Sequence, residues 1–184
     1  LKVINSLEKH SKKFINLSPF VVISSKGKNG HADVSPRGDS VGFVKIQDDK
    51  TIIIPDRSGN NRLDTLENII FDPSVGTLFF IPGINTVLRI NGNAFIEDSL
   101  EIRAQFKINN NIPKTCIIIN IEEIFMHCAK AFMRSSFWDH SKYLSQTDFP
   151  TISKIINDQL NSEDDEQNHE QEDKRYKKQI IEFG

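Results

Sequence analysis

The sequence predicts a mainly β protein, a small antiparallel barrel with peripheral helices. About six apolar runs have the length of strands, and short turns rich in Gly, Pro, Asn and Asp separate most of them. Strands do not alternate with long helical patterns, so a parallel α/β sheet is excluded. No repeat of fixed period and no heptad pattern occurs. Many strands joined by short turns are typical of antiparallel sheets that curl into barrels.

The first half of the chain predicts one helix, then strands and cationic turns. Residues 1–17 place apolar side chains at helical spacing among lysines, as an amphipathic helix does. Strands are predicted at residues 20–24, 31–34 and 41–46. A Lys- and Gly-rich turn at residues 26–30 joins the first two strands as a hairpin. Residues 35–39, which contain Arg37 and Gly38, predict a second cationic turn.

Residues 51–80 predict a strand, a cationic turn, a short helix and a further strand. The first strand is a β-branched run that Pro55 ends, because proline cannot donate to a ladder. Residues 60–61, both asparagine, are suitable caps for a helix that starts near Arg62. The apolar face of this helix is predicted to consist of Leu63, Leu66 and Ile70.

The turn before this helix is a candidate anion site. Arg57 and Arg62 flank a segment that contains Gly59, at the predicted N-terminus of the helix. Helix N-termini offer unpaired N–H groups and a partial positive charge, and guanidinium groups match phosphate oxygens in geometry. The alternative interpretation is a solvated polar loop with two surface arginines.

The second half of the chain completes the predicted sheet. Residues 75–81 form a near-continuous apolar run, which predicts a strand buried on both faces. Residues 86–96 predict its partner, and Asn91 and Gly92 within it predict a β-bulge, because the run continues beyond them. The remaining elements are predicted as a helix at residues 98–106, a strand at 115–126 and a helix at 151–160.

Length and charge predict one domain that binds neither nucleic acid nor a membrane. The 184 residues suit a single domain at residues 1–160, including the N-terminal helix, and a charged, partly helical tail at 161–184. The net charge of −2 gives no electrostatic reason for a nucleic-acid partner. No run approaches the roughly 18 apolar residues of a membrane span. Two cysteines and no recognisable signal peptide predict a reducing, cytoplasmic location.

The residues predict no catalytic side chain and no metal site. A G-x-S-x-G motif is absent, and Cys116 is interpreted as a small core residue of a strand. His127 and Cys128 are adjacent, so they point to opposite faces of a strand and are poor joint ligands for one ion. A phosphorylated aromatic cofactor would both supply redox chemistry and pair with the cationic turns.

A third cationic segment, residues 128–138, combines positive charge with aromatic rings. Lys130 and Arg134 lie among phenylalanines and Trp138, the only tryptophan. Such a segment can bind a planar charged ligand, with Trp138 against a ring and Arg134 on a phosphate or carbonyl oxygen. Alternatively, the aromatic side chains close the mouth of the barrel and the cations are solvated.

Six segments resemble one known family in their order along the chain: SPFVVISS, DVSPRGD, IPDRSGNNRLDTLENI, VGTLFFIPG, LRINGNA and CAKAFMRSSFW. The sequence is similar to the pyridoxamine 5′-phosphate oxidase-related family of FMN-binding split-barrel proteins, in particular a small bacterial-type subgroup of unassigned substrate. The resemblance spans roughly residues 14–160. It implies a six-stranded antiparallel split barrel and a homodimer with FMN at the interface.

The resemblance also implies roles for particular residues. Arg62 corresponds to the family's phosphate-binding cation, with Arg57 and Asn60 beside it, and Asp56 is placed near the flavin. Arg37 corresponds to a basic residue that approaches the isoalloxazine ring or the phosphate. Two further groups are implied to contact the cofactor or to close its site: Asn85 and Thr86, and then Lys130, Arg134, Ser135 and Trp138.

The resemblance predicts an FMN-dependent oxidoreductase that transfers hydride between a small substrate and the flavin. The C-terminal arginine-and-histidine signature of the true oxidases is not found, so the substrate is left open. A non-catalytic flavin-binding or sensing module is the alternative. A third possibility is an interaction domain that has kept the fold and lost the cofactor.

Overall fold

The structure is a computed structural model that describes residues 3–59, 62–162 and 164–183. This part of the chain contains eight strands: β1 (Val3–Ile4), β2 (Phe20–Lys26), β3 (Ala32–Gly38), β4 (Lys45–Asp48), β5 (Thr51–Pro55), β6 (Ser74–Phe80), β7 (Val87–Glu97) and β8 (Cys116–His127). It contains six α-helices: α1 (Lys9–Leu17), α2 (Asp64–Phe71), α3 (Leu100–Ala104), α4 (Lys130–Ser135), α5 (Ile152–Leu160) and α6 (His169–Phe183).

The strands form one antiparallel sheet in the order β3-β2-β6-β7-β8-β5-β4, and β1 pairs with β8. The two end strands, β3 and β4, do not pair with each other, so the sheet is open along one line. We call the space between β3 and the end of β5 the seam. A mainly antiparallel sheet with peripheral helices and an open seam confirms the predicted fold class of a split barrel. Eight strands are present rather than six, and one of them has only two residues.

The core is built from β-branched side chains on the inner face of the sheet. Ile52 and Ile54 of β5 and Ile117 and Ile119 of β8 have no solvent exposure. β5 is buried along its whole length, since Ile53 on the other face packs in a second, smaller cluster. Burying isoleucine side chains stabilises a fold by about 1.5–3 kcal/mol each, so these two strands anchor the sheet.

The predicted bulge at Asn91 and Gly92 is confirmed. The pairing of β7 with β8 shifts there, because Asn91 lies opposite Glu123 while Gly92 lies opposite Ile121. The extra residue, Glu122, is on β8. Gly92 approaches the neighbouring strand so closely that a Cβ atom would lie 2.1 Å from the Asn120 carbonyl oxygen.

Strand β6 differs from its prediction, which placed it between two apolar layers. Val75, Thr77 and Phe79 are buried, but the alternate side chains of Leu78 and Phe80 are only half-buried. The prediction of burial on both faces was therefore wrong. Only the inner face of β6 packs on the core, and the apolar residues at alternate positions lie on the outer face of the sheet.

Two helices begin later than predicted. Residues 3–4 form β1, and α1 begins at Lys9, where the Glu8 carboxylate accepts hydrogen bonds from two backbone N–H groups. Helix α2 begins at Asp64 rather than near Arg62. The predicted asparagine caps at residues 60–61 lie outside the described residues.

The predicted apolar face of α2 was right for Leu66, which packs against the core, and wrong for Leu63 and Ile70. Leu63 precedes the helix and is 54% exposed, and Ile70 is 77% exposed. Thr65 and Ile69, four residues apart, form the buried face instead. Ile69 packs in the apolar core, and Asn68 Nδ2 donates to Ser25 Oγ of β2 at 3.0 Å, so both apolar and polar contacts hold the helix on the sheet.

Strand β3 extends through the segment predicted as the second cationic turn. It pairs with β2 as far as Gly38 opposite Phe20, so Arg37 lies on a strand and not in a turn. Arg37 is opposite Val21, whose side chain is in the core. Because paired residues share one face of a sheet, Arg37 points to the inner side of the barrel.

Two compact units divide the chain between Trp138 and Asp139. The second unit contains α6 and α5, and α5 confirms the helix that was predicted at residues 151–160. Thr151 caps α5 by accepting from the Lys154 N–H, and the buried Glu172 of α6 accepts from the N–H groups of Ile152 and Ser153. The predicted domain boundary at residue 160 stays a prediction.

Across the described ranges, none of the helices is long and apolar enough to cross a membrane.

Candidate functional site

The seam contains a cavity of about 560 Å³, which we call the seam cavity. One wall is β3, through residues 33–38. The other wall is the segment after β5, through residues 57–59, Arg62 and Asp64. The cavity therefore brings together three of the four arginines that the sequence singled out: Arg37, Arg57 and Arg62.

Two ion pairs cross the seam in opposite directions. Arg37 Nη1 on β3 donates to Asp56 Oδ1 at 2.8 Å, and Arg57 Nε donates to Asp39 Oδ2, just after β3, at 2.8 Å. All four side chains are only 16–18% exposed. Removing one partner of such a largely buried pair leaves an uncompensated charge, which destabilises the fold. These two pairs are therefore part of the structure of the seam.

Arg37 and Arg57 each have a further N–H group without an acceptor in the part of the chain that the structure describes. The buried Arg37 Nε and Arg57 Nη1 lack a hydrogen-bond partner among the described residues. A buried donor without an acceptor is unfavourable by about 1–3 kcal/mol. Both guanidinium groups therefore have hydrogen-bonding capacity that their aspartate partners do not use.

Arg62 differs from the other two arginines in its exposure. Its side chain is 73% exposed, and its Nε donates to Asp64 Oδ2 at 2.6 Å. An exposed ion pair of this kind contributes about 0–1 kcal/mol, so an anion can replace the carboxylate at low cost. Of the three guanidinium groups in the cavity, that of Arg62 can most readily exchange its carboxylate partner for an anionic ligand.

The turn that was predicted as an anion site lines the seam cavity together with Asp64, the first residue of α2. Anion binding at this turn stays a prediction. The first turn of α2 carries Asp64 and Glu67, whose negative charges already offset the partial positive charge of the helix end. The donors that face the cavity belong to Arg62 and to the loop at residues 57–59. Asn60, which was assigned to the same site, lies outside the described residues.

Burial dominates the titration of Asp56. It raises the pKa of the Asp56 carboxyl above its usual value of 3.8, although the adjacent Arg37 acts to lower it. Asp72 shows the opposite case, because hydrogen bonds from Ser74, and then Lys26, lower its pKa to about 2. The two carboxyl groups therefore affect stability with opposite dependence on pH.

We expect Asp56→Asn to remove a component of stability that decreases as the pH rises. A group with a raised folded-state pKa stabilises the fold fully below its unfolded-state pKa, and this stabilisation is lost as the pH rises through the folded-state pKa. The free energy of unfolding of the wild type minus that of Asp56→Asn should therefore fall with rising pH above about 3.8. Urea unfolding at a series of pH values measures this difference.

Asp72→Asn is the matched control for this measurement. Its lowered pKa means that its stabilisation is present above the usual carboxyl pKa and is lost as the pH falls towards about 2. The corresponding difference for Asp72→Asn should therefore rise with pH. Equal slopes for the two variants would contradict the burial effect on Asp56.

The other predicted site residues form a separate group around Trp138. The Trp138 ring stacks on Phe132 of α4 with 5.8 Å between ring centroids, and its Nε1 donates to the Ile84 carbonyl oxygen at 3.1 Å. Asn85 and Thr86 follow Ile84 and are half-buried. Lys130, Arg134 and Ser135 are exposed on α4. None of these six predicted residues lines the seam cavity.

The sequence interpretation missed four side chains at or near the seam, namely Asp33, Ser35, Asp39 and Asp64. Asp39 holds Arg57, Asp33 accepts from Thr65 Oγ1 at 3.3 Å and from Ser35 Oγ at 3.2 Å, and Asp64 holds Arg62. A signal for most of them was available in the sequence. Residues 33, 35, 37 and 39 are all polar, and this period of two places them on one face of a strand.

A second hollow, of about 370 Å³, lies on the outer face of the sheet. Apolar side chains of β2, β3 and β6 form part of it, including Val22, Val34 and Leu78. Arg89 and His127 also line it, and Arg89 pairs with Glu123 of β8. Val34 is 62% exposed, so this apolar face is open to solvent in the single chain.

Comparison with known proteins is consistent with this architecture. Residues 7–128 match the family model for pyridoxamine 5′-phosphate oxidase. Tagged HupZ of Group A Streptococcus has a crystal structure with 21% identity and a TM-score of 0.54, covering 65% of this chain and 93% of that one. A Lactobacillus delbrueckii protein named as a candidate pyridoxamine 5′-phosphate oxidase has 17% identity and a TM-score of 0.53, covering 68% and 99%.

An FMN-binding protein of Syntrophomonas wolfei also matches, with 12% identity and a TM-score of 0.46, over 64% of this chain and 88% of that one. A search of curated proteins finds no significant match. The two structures with TM-scores above 0.5 are less than 25% identical to this chain, so they support the fold alone.

Proposed function

Because the chain belongs to the pyridoxamine 5′-phosphate oxidase family, we propose that it binds FMN in the seam cavity and acts as an FMN-dependent oxidoreductase. The observation that carries this proposal is the presence of three arginines on the walls of one cavity. Guanidinium groups are suited to phosphate and to carbonyl oxygens, the two kinds of acceptor that FMN presents.

The residues of the seam cavity fit FMN in size and in chemistry. A volume of about 560 Å³ lies within the range of roughly 300–1,000 Å³ for small-molecule sites. Arg62 is exposed and can exchange Asp64 for the phosphate, and the loop residues Ser58 and Gly59 lie beside it. Gly59 has no neighbouring atom near its Cβ position, so a ligand can approach the backbone there.

The flavin would supply hydride-transfer chemistry that the side chains of this protein lack. In the proposed reaction the protein binds and orients. Arg62 holds the phosphate, and the charge-balanced pairs of Arg37 and Arg57 shape the wall against which the ring lies. Orientation of this kind lowers the barrier because the reacting groups no longer lose rotational freedom in the transition state.

We also propose a homodimer in which the Trp138 group of one subunit closes the seam cavity of the other. Two observations support it. The Trp138 group is separate from the cavity within one chain, and the outer face of the sheet has an open hollow with an apolar part. A symmetric dimer uses the same surface on both subunits. Light scattering should give twice the chain mass of 21.0 kDa, and a monomer mass would contradict this proposal.

The visible absorbance spectrum tests the proposed cofactor. We expect protein mixed with FMN and then separated by gel filtration to retain the flavin spectrum at about one flavin per chain. Protein that elutes without colour, under conditions where it is folded by circular dichroism, would contradict FMN binding and favour an interaction domain.

Anaerobic reduction separates a catalyst from a flavin-binding module. An oxidoreductase should lose flavin absorbance when mixed without oxygen with a reductant that it accepts, such as a reduced nicotinamide cofactor or pyridoxamine 5′-phosphate. A binding or sensing module would keep the oxidised spectrum with every reductant tested. Free FMN under the same conditions is the control for direct reduction.

A further inference from the structure

We propose that Asp39 and Asp56 are positioning residues that hold the two walls of the seam cavity together through Arg57 and Arg37. This inference rests on the proposed function, because it assigns the two aspartates a role at the same FMN site. It also divides the three arginines of the cavity between two tasks.

The topology of the sheet leaves side chains to connect the walls, through these two ion pairs and through the hydrogen bond from Thr65 to Asp33. Strand β3 is at one end of the sheet, and β5 is next to the strand at the other end. No ladder pairs β3 with β5, and no backbone hydrogen bond described for the chain joins residues 33–39 to residues 56–59. Arg37 with Asp56, and Asp39 with Arg57, span this gap directly.

The opposite direction of the two pairs balances the charge on each wall. The β3 wall contributes Arg37 and Asp39, and the β5 wall contributes Asp56 and Arg57. Each wall therefore contributes one positive and one negative group to these two pairs, and each of the four groups meets its opposite across the seam. An arrangement of this kind fixes both the distance between the walls and their register along the strands.

Burial separates the role of these arginines from that of Arg62. A ligand that drew Arg57 away from Asp39 would leave a carboxylate that is only 16% exposed without its partner. Arg62 is 73% exposed and can leave Asp64 with little loss. Arg62 is therefore assigned to the phosphate, whereas Arg37 and Arg57 stay with the aspartates and define the width of the cavity.

The face of β3 on which these residues lie supports the same division. Asp33, Ser35 and Arg37 are opposite Ser25, Ile23 and Val21 of β2, on the inner side of the sheet. Elsewhere the inner side carries the apolar core. A polar inner face on this strand alone places hydrogen-bonding groups where the seam opens into the cavity.

The test compares binding of FMN and of riboflavin, which lacks the phosphate, to the full-length protein and its variants. Asp39→Asn removes one aspartate from the seam. The charge-reversed double variant, Asp39→Arg with Arg57→Asp, restores an ion pair between the same two positions. The positive charge then lies on the β3 wall and the negative charge on the β5 wall. Asp49→Asn is the matched control, because Asp49 forms an exposed ion pair with Lys12 at 2.5 Å and does not line the cavity.

We expect Asp39→Asn to raise the dissociation constants for FMN and riboflavin alike, by about tenfold. Without the ion pair the walls must be ordered when the ligand binds, and this ordering reduces the net binding free energy. Its melting temperature should fall by roughly 4–8 °C, which corresponds to about 2 kcal/mol in a chain of this size. The charge-reversed variant should recover most of both losses, and Asp49→Asn should match the wild type.

Three results would overturn the inference. FMN binding that is unchanged or tighter in Asp39→Asn would mean that the aspartate only competes with the ligand for Arg57. A charge-reversed variant that recovers its melting temperature but not its FMN affinity would make Arg57 a direct ligand. A loss for FMN with none for riboflavin would place Arg57 on the phosphate. A wild-type protein that binds neither flavin would instead contradict the proposed function.

Discussion

Arg62→Ala is expected to weaken FMN binding by about 10- to 150-fold, which corresponds to a charge-assisted hydrogen bond of about 1.5–3 kcal/mol. The reason is the position of Arg62, which is exposed on the wall of the seam cavity and forms an exposed ion pair with Asp64. Because Arg62 is outside the core, the melting temperature should change little. Fluorescence titration of flavin into purified apoprotein measures the dissociation constant.

Riboflavin provides the specific control for this prediction. If Arg62 binds the phosphate, riboflavin should bind the wild type and Arg62→Ala equally well. Arg175→Ala is the matched arginine control, because Arg175 is exposed on α6 and stacks only on Tyr176 within the described contacts. Unchanged FMN affinity in Arg62→Ala would contradict the assigned phosphate site. Equal losses for FMN and riboflavin would move Arg62 from the phosphate to the ring.

Gly92→Ala is expected to destabilise the fold by about 3 kcal/mol, at the upper end of the usual cost of overpacking. A Cβ atom at this position would lie 2.1 Å from the Asn120 carbonyl oxygen and 3.0 Å from its carbonyl carbon. Both are backbone atoms of β8, which is paired with β7 on one side and with β5 on the other. The strand cannot move away without breaking one of these ladders.

Thermal unfolding measures this effect, and we expect a melting temperature about 6–12 °C below that of the wild type. Gly59→Ala is the matched control, because no described atom other than those of its chain neighbours lies within 4 Å of the Cβ position at Gly59. A Gly92→Ala protein that melts at the wild-type temperature would show that the bulge tolerates a side chain. The close approach of the two strands would then not explain why glycine occupies this position.

The elements that the sequence predicted well are those encoded by local pattern. The isoleucine run of β5 indicated a strand because β-branched side chains favour extended backbone, and β5 was found there. Asn91 and Gly92 indicated the bulge because they interrupt an apolar run that continues on both sides, and the register shift is located between them. The family resemblance, carried by ordered motifs, was confirmed by the match over residues 7–128.

The errors arose where a local pattern was compatible with more than one environment. The segment at residues 35–39 contains proline, glycine and charged residues and was assigned to a turn, but pairing with β2 keeps it extended through Gly38. In α2, Ile70 fits an apolar face by spacing, yet the helix presents Thr65 and Ile69 to the sheet. Contacts with the rest of the fold outweighed local propensity in both cases.

By itself, the sequence determined the strand content, the bulge and the presence of three arginines in polar segments. Only the tertiary structure decided how those arginines are used. Arg37 and Asp56 are 19 residues apart, and they meet because the sheet curls until its two ends face each other. This long-range geometry decides which partner a charged residue meets, whereas the formation of a strand is favoured by the residues within that strand. Burial at the seam then separates Arg37 and Arg57 from Arg62, whose ion pair with Asp64 is exposed to solvent.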